Sequence, residues 1–166
     1  MKSRIAVLGA GLIAVLAFGA GNGADRSQIM AGVKAQKEAA LKVVGNHFID
    51  VATLKKWMKE DKDFTILDVR EPDEFKAGHI DYIETESVPR GVLYAAVKSG
   101  RLKPNHTYVV VCRTGHRALL AAATLMKWYH FKKVYVLKGG IKSWIKNGGT
   151  VENSLNLGPL KIQLLP

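Results

Sequence analysis

A single cysteine, Cys112, opens the run Cys112-Arg113-Thr114-Gly115-His116-Arg117. It follows the β-branched stretch Tyr108-Val109-Val110-Val111 and precedes Ala118-Leu119-Leu120-Ala121-Ala122-Ala123. That order reads as strand, short loop, helix. It sets the sulfur at the C-terminal end of a buried strand and aims successive backbone N–H groups, and a helix N-terminus, at whatever the sulfur carries. Positive dipoles and neighbouring arginines favour the thiolate, which is the nucleophile. A lone cysteine can also be a small buried apolar residue and nothing more. Two arginines and a glycine beside it have no use in a core, so the reading is a reactive thiol.

The other loop residues divide by what they can supply. Thr114, Gly115 and His116 are expected to contribute backbone N–H groups, since a tight turn around a charge favours small residues at its apex. Arg117 stands in the first turn of the expected helix, where the macrodipole disfavours a cation. A partner must hold it there, and an anion or Asp68 would serve. Asp68 itself reads as structural. Arg70, two residues on, is either its buried partner or a contact to substrate.

Around the loop, alternating strands and helices position it. Residues 27–44 show helical periodicity through Met30, Val33, Leu41 and Val44, and Gly45 stops the run. Phe48-Ile49 suggests a short strand, and Asp50 can cap a helix that turns Leu54, Trp57 and Met58 inward. Residues 64–67 read as a buried strand, Pro72 opens a short helix that Gly78 ends, and residues 81–88 read as polar and irregular. Pro89-Arg90-Gly91 leads into a helix over residues 92–97. After the Cys112 loop come a helix to about residue 129, a strand over 133–137, a Gly139-Gly140 turn and a last helix carrying Trp144. Such alternation implies a parallel sheet covered on both faces. Residues 148–166 show no strong period and read as loosely docked.

Length, charge and cysteine count restrict the class. Residues 1–24 have the order of a secretory signal, with an uncleaved membrane anchor as the alternative: a basic start at Lys2 and Arg4, an apolar-and-glycine run over 5–20, then small residues. Cleavage after Ala24 leaves one domain of ordinary size, with the formal charge falling from +11 to +9 as Lys2 and Arg4 depart. An exported chain with one cysteine has no internal disulfide, so that thiol is kept for reactivity or for pairing between chains. The absence of a Cys-x-x-Cys excludes dithiol–disulfide exchange within one chain. The five histidines lack metal-ligand spacing, and neither a metal nor another cofactor is expected. The basic balance fits a small anionic substrate rather than nucleic acid, because two arginines flank the nucleophile and no aromatic-basic motif accompanies them.

Four motifs together resemble the rhodanese (sulfurtransferase) homology domain. They are Leu67-Asp68-Val69-Arg70-Glu71, Glu74-Phe75-x-x-Gly78-His79-Ile80, the Cys112–Arg117 loop, and Val136-Leu137-Lys138-Gly139-Gly140-Ile141-x-x-Trp144. The leader, the helix before the domain, the single cysteine and Pro89-Arg90-Gly91 further resemble the periplasmic polysulfide-sulfur transferases. The resemblance implies a three-layer α/β fold with a central, mainly parallel sheet, an N-terminal helix over residues 25–46, the domain itself over 47–149 and a tail over 150–166. It also implies a persulfide on Cys112, with Arg70, Arg90, Arg113 and Arg117 as the basic cluster that binds the sulfur anion. Those transferases have lysine where this chain has Arg113, which keeps the charge and changes the geometry. A homodimer, a periplasmic location and a membrane respiratory sulfur reductase as acceptor are implied by the same resemblance.

The expected activity is transfer of sulfane sulfur from polysulfide or thiosulfate through Cys112 to a thiophilic acceptor. A thiosulfate:cyanide sulfurtransferase differs only in donor. A sulfur carrier without turnover is the alternative from outside the enzymes. Cysteine-dependent phosphatases place five residues between cysteine and arginine, and this loop has four.

Overall fold

The computed structural model describes residues 25–153. The expected leader and tail residues 154–166 lie outside them. In chain order the elements are α1 (Arg26–Val44), β1 (Phe48–Ile49), α2 (Val51–Lys59), β2 (Thr65–Asp68), α3 (Pro72–Ala77), β3 (His79–Ile80), β4 (Thr85–Ser87), a 3₁₀ turn (Arg90–Val92), α4 (Leu93–Lys98), β5 (Tyr108–Val111), α5 (His116–Trp128), β6 (Val134–Leu137), α6 (Gly140–Lys146) and β7 (Val151–Glu152).

Five of the strands form one sheet in the order β1-β6-β5-β2-β4, with every neighbouring pair parallel. The Tyr108–Val111 strand lies in its centre and is buried throughout. A strand covered on both faces reads as an unbroken apolar run, as this one does. Alternation along the strands sorts side chains between two layers. Leu67, Val69, Val110, Cys112 and Val136 face the side packed by Val44 of α1, Leu93 of α4 and Ala118, Ala122 and Leu125 of α5. Ile66, Val109, Val111 and Leu137 face Leu54 of α2 and Ile141 and Trp144 of α6. Each fully buried Leu or Val contributes about 1.5–3 kcal/mol. The three-layer α/β expectation and the N-terminal helix are what the structure shows.

Two segments are more ordered than their sequence suggests. Within the polar stretch 81–88, Thr85–Ser87 pairs with Ile66–Asp68 as the edge strand β4. At the start of the tail, Val151–Glu152 pairs antiparallel with His79–Ile80. Trp144, 2% exposed, ties this second sheet down by donating its indole N–H to Thr150 O at 2.7 Å. None of the described helices is long and apolar enough to cross a membrane. The large apolar side chains left exposed are Ile29, Met30, Val33 and Leu41 on α1, Ile83, Val92, Tyr94, and Trp128 at the end of α5.

Candidate active site

Cys112 follows the last residue of β5 and is 1% exposed. The chain then reverses through Gly115, whose φ of +103° belongs to glycine's range, and enters α5 at His116. The reversal brings two amides onto the sulfur. Gly115 N–H donates to Cys112 Sγ at 3.1 Å and Ala118 N–H donates at 3.4 Å. Sulfur therefore stands where a serine or aspartate oxygen ordinarily caps a helix, and α5 has no other side-chain cap. Unpaired amides and the positive end of the helix dipole favour negative charge at this atom.

A second helix holds the loop from behind. Ile141 N–H of α6 donates to Cys112 O at 2.9 Å and Lys142 N–H donates to Arg113 O at 3.2 Å. With these carbonyls taken up on the α6 side, the loop's amide face is left to the sulfur. So close an approach requires Gly140: at φ +60°, a Cβ there would lie 2.2 Å from Cys112 O and 2.8 Å from Arg113 C.

The arginines separate into two pairs. Arg117, at the second position of α5, makes a bidentate ion pair with Glu74 of α3, at 2.6 Å (Nη1) and 2.7 Å (Nη2). That hydrogen bonding pulls the Glu74 carboxyl down to about 2 and pushes the Arg117 guanidinium up, with smaller upward contributions to Arg117 from the Cys112 and Glu71 charges. The partner expected for Arg117 was an anion or Asp68; the structure supplies Glu74. Asp68 instead holds Arg70. Arg70 Nε reaches both carboxylate oxygens at 2.9 Å, one Nη donates to Oδ2 at 2.6 Å, and the same Nη donates to Gly78 O at 2.7 Å. Asp68 and Arg70 are 1% and 5% exposed. Arg70, expected in the donor-binding cluster, is thus engaged by Asp68 and Gly78 O, because a buried charge must be paired where it lies.

Arg90 and Arg113 are exposed, and neither guanidinium has a hydrogen bond or ion pair among the described residues. Arg90 is set at the C-terminal edge of the sheet by its N–H bond to Val69 O at 3.2 Å, and its side chain lines a groove of about 260 Å³ between α1 and α5. Thr114 and His116 are exposed on the loop and at the first position of α5. No group of acidic, histidine and cysteine side chains is placed to hold a metal among the described residues.

Two residues were given lesser roles by the sequence. Glu74 reads as fold-maintaining in the Glu-Phe-x-x-Gly-His motif, although an arginine in a helix's first turn is itself the signal that an acid is near. Gly140 reads as a turn residue, and nothing local marks its contact with the Cys112 carbonyl.

A parallel three-layer α/β domain whose strand-end thiol caps the following helix defines a class of cysteine-loop domains. The chain belongs to the rhodanese-like domain family, which it matches over residues 50–147. It is 30% identical over 93 residues to the probable adenylyltransferase/sulfurtransferase MoeZ of Mycobacterium tuberculosis, covering 56% of this chain and 23% of that protein. It is 33% identical over 82 residues to the thiosulfate sulfurtransferase GlpE of Stutzerimonas stutzeri, covering 48% of this chain and 68% of that one. The match thus spans about a quarter of the first relative's length and two thirds of the second's. The solution structure of the polysulfide-sulfur transferase homodimer from Wolinella succinogenes superposes with a TM-score of 0.60 at 32% identity, over 80% of this chain and 92% of that chain.

Proposed function

We propose that this protein is a sulfurtransferase that moves sulfane sulfur from polysulfide through a Cys112 persulfide to a thiophilic acceptor. The observation that carries the reading is the buried Sγ receiving the Gly115 and Ala118 amides at the start of α5. Cys112 thiolate attacks the terminal sulfur of a polysulfide dianion and forms a new S–S bond. The bond behind that sulfur breaks, and the electron pair leaves with a polysulfide dianion shorter by one atom. The persulfide anion then yields its outer sulfur to cyanide or a thiolate, and Cys112 thiolate returns. No proton, oxidant or reductant is consumed. The loop amides stabilise the sulfur-centred charge at each stage.

Arg90 and Arg113, whose guanidinium groups are unengaged, attract the donor. Arg117 shapes the loop with Glu74, and Arg70 supports it with Asp68. The four-residue interval between Cys112 and Arg117 suits a sulfur atom better than a phosphoryl group. Export by the leader, a periplasmic location, a respiratory reductase as acceptor and a second copy as partner complete the reading. Support comes from the likeness to the Wolinella transferase and from the order of residues 1–24.

The test is intact mass followed by turnover. Incubation with polysulfide adds one or a few sulfur atoms to the wild type and none to Cys112→Ser, and cyanide then draws thiocyanate catalytically from the wild type alone. A Cys112→Ser variant with undiminished transfer would refute the site. Loading followed by a single discharge, without turnover, would assign a carrier.

A further inference from the structure

Different elements hold the two ends of the Cys112 loop. At its start the Ile141 and Lys142 amides of α6 hold the Cys112 and Arg113 carbonyls. At its end Glu74 of α3 holds Arg117. The small β3–β7 sheet is tied to both of these anchors. From α6, Trp144 donates its indole N–H to Thr150 O at 2.7 Å, and Asp81, just past β3, donates its N–H to the same oxygen at 3.2 Å. Gly149 N–H returns to Trp144 O at 2.9 Å, and a Cβ at Gly149 would lie 2.1 Å from indole Cε2. The indole is thus pressed against the backbone that leads into β7. Lys55 of α2 fixes the same end of α6, donating to Asn147 O at 2.7 Å and Gly148 O at 3.1 Å. β7 then pairs with β3, Val151 with Ile80 and Glu152 with His79. His79 makes the connection to α3. Its ring stacks on Phe75 with centroids 4.0 Å apart and planes 11° from parallel. Its Nδ1 lies 3.2 Å from Phe75 O, and because a carbonyl only accepts, Nδ1 carries the proton. The other ring nitrogen is 3.9 Å from Glu152 of β7.

We propose that His79 and Trp144 are positioning residues for Cys112. They are the two joints of a closed circuit of contacts that leaves the loop's start through α6 and returns to its end through β7, β3 and α3. Two features set them apart from ordinary core residues. Each side chain ends in a polar bond to the backbone of another element of the circuit, where burial alone would ask only for an apolar group. The elements they join are also too short to hold their own places: α3 has 6 residues, α6 has 7, and each strand has 2. Opening either joint leaves Glu74 and the α6 amides attached to the loop but lets them move apart. The slack then reaches the Gly115 and Ala118 amides, which stand 3.1 and 3.4 Å from Sγ. The consequence for sulfur transfer rests on the proposed function, whereas the consequence for the thiol itself does not.

The test uses His79→Phe and Trp144→Phe in the full-length protein, each of which removes a polar bond and keeps an aromatic ring. In polysulfide-to-cyanide transfer, kcat should fall about tenfold, since a shift of a fraction of an ångström costs less than the roughly 100-fold of a full one. KM for polysulfide should hold, because the Arg90 and Arg113 guanidinium groups take no part in the circuit. The pH midpoint for alkylation of Cys112 by iodoacetamide should rise in both variants, as the amides that favour thiolate draw away. Phe131→Leu, at the opposite end of the sheet, is the control: it should lower the melting temperature and leave kcat and the midpoint alone. Combining Trp144→Phe with Glu74→Gln should cost little more than the worse single change, because a circuit opened once is already open. Unchanged kcat and midpoint in both variants overturn the proposal, as do equal shifts in Phe131→Leu. A rise in KM at constant kcat overturns it too, and so do additive or greater losses in the double variant, which would make α3 and α6 independent supports. Failure of Cys112 to take up sulfur would refute the proposed function alone, and the alkylation midpoints of the single and double variants would still decide the circuit.

Discussion

Replacing Gly140 with alanine isolates the contact by which α6 shapes the Cys112 loop. The added methyl would stand 2.2 Å from Cys112 O, whereas real Cβ contacts essentially never fall below 3.0 Å. Close to an ångström must therefore open between α6 and the backbone carrying the nucleophile. Its neighbours are peptide atoms, which cannot swing aside as a side chain can. A misplacement on the order of 1 Å at reacting groups costs about 100-fold in rate. The left-handed φ of +60° adds roughly 1–2 kcal/mol against a residue with a Cβ. Sulfur transfer to cyanide should fall about 100-fold, and thermal unfolding should begin several degrees lower. Gly139→Ala is the matched control. Its φ is +74°, but its methyl's nearest neighbours would be Ser143 Cβ at 2.7 Å and Oγ at 3.3 Å rather than the backbone of the Cys112 loop. It should lose comparable stability and keep most of its transfer rate. Near-wild-type transfer in Gly140→Ala, or equal transfer losses in the two variants, would refute the argument that α6 positions the loop.

The other expectations concern charge. If Arg90 and Arg113 attract the donor as proposed, Arg90→Gln and Arg113→Gln each remove a charge-assisted contact of about 1.5–3 kcal/mol, so transfer efficiency should drop about 10- to 150-fold at unchanged melting temperature; full activity in both variants at moderate salt ends the anion-clamp reading. Arg70→Gln leaves the Asp68 carboxylate buried and unpaired, which costs about 3–5 kcal/mol and should appear in chemical denaturation before any effect on donor affinity. The Glu74 carboxyl is held near 2 against an ordinary 4.5, so its stabilising contribution is complete above 4.5 and fades as pH falls toward 2. The pair is a third exposed, so that contribution is about 1 kcal/mol or less, and Glu74→Gln should remove the corresponding slope from the acid side of a stability-versus-pH curve.

Much of this arrangement is legible in the sequence because the central strand is buried on both sides. Tyr108–Val111 has no polar alternation to confuse it, and the abrupt change to arginine and glycine at Cys112 marks the strand's end. The helices announce themselves through Asp50, Pro72 and Gly45. What stays hidden depends on contacts that sequence spacing does not encode. Glu74 and Arg117 meet across 43 positions. An Asp-x-Arg pair reads the same whether the arginine turns outward or, as Arg70 does, turns inward onto Asp68 and Gly78 O. Two-residue strands such as His79–Ile80 and Val151–Glu152 are too short to show a period, and only their mutual pairing makes them strands.

The strand order has a consequence for how such a site can change. The chain reaches β5 by stepping over β2, and leaves it toward β6 on the opposite side. Connections therefore diverge at the carboxyl end of the middle strand, the place where open parallel sheets take their ligands. The segments that follow the strands' carboxyl ends there, with Arg90 and Arg113 among their side chains, belong to turns rather than to the packed layers. Exchanges among them change the charge at this end of the sheet while leaving Leu67, Val110 and Val136 undisturbed. Selectivity and foldability are thus written in separate parts of the chain, and one can drift without endangering the other.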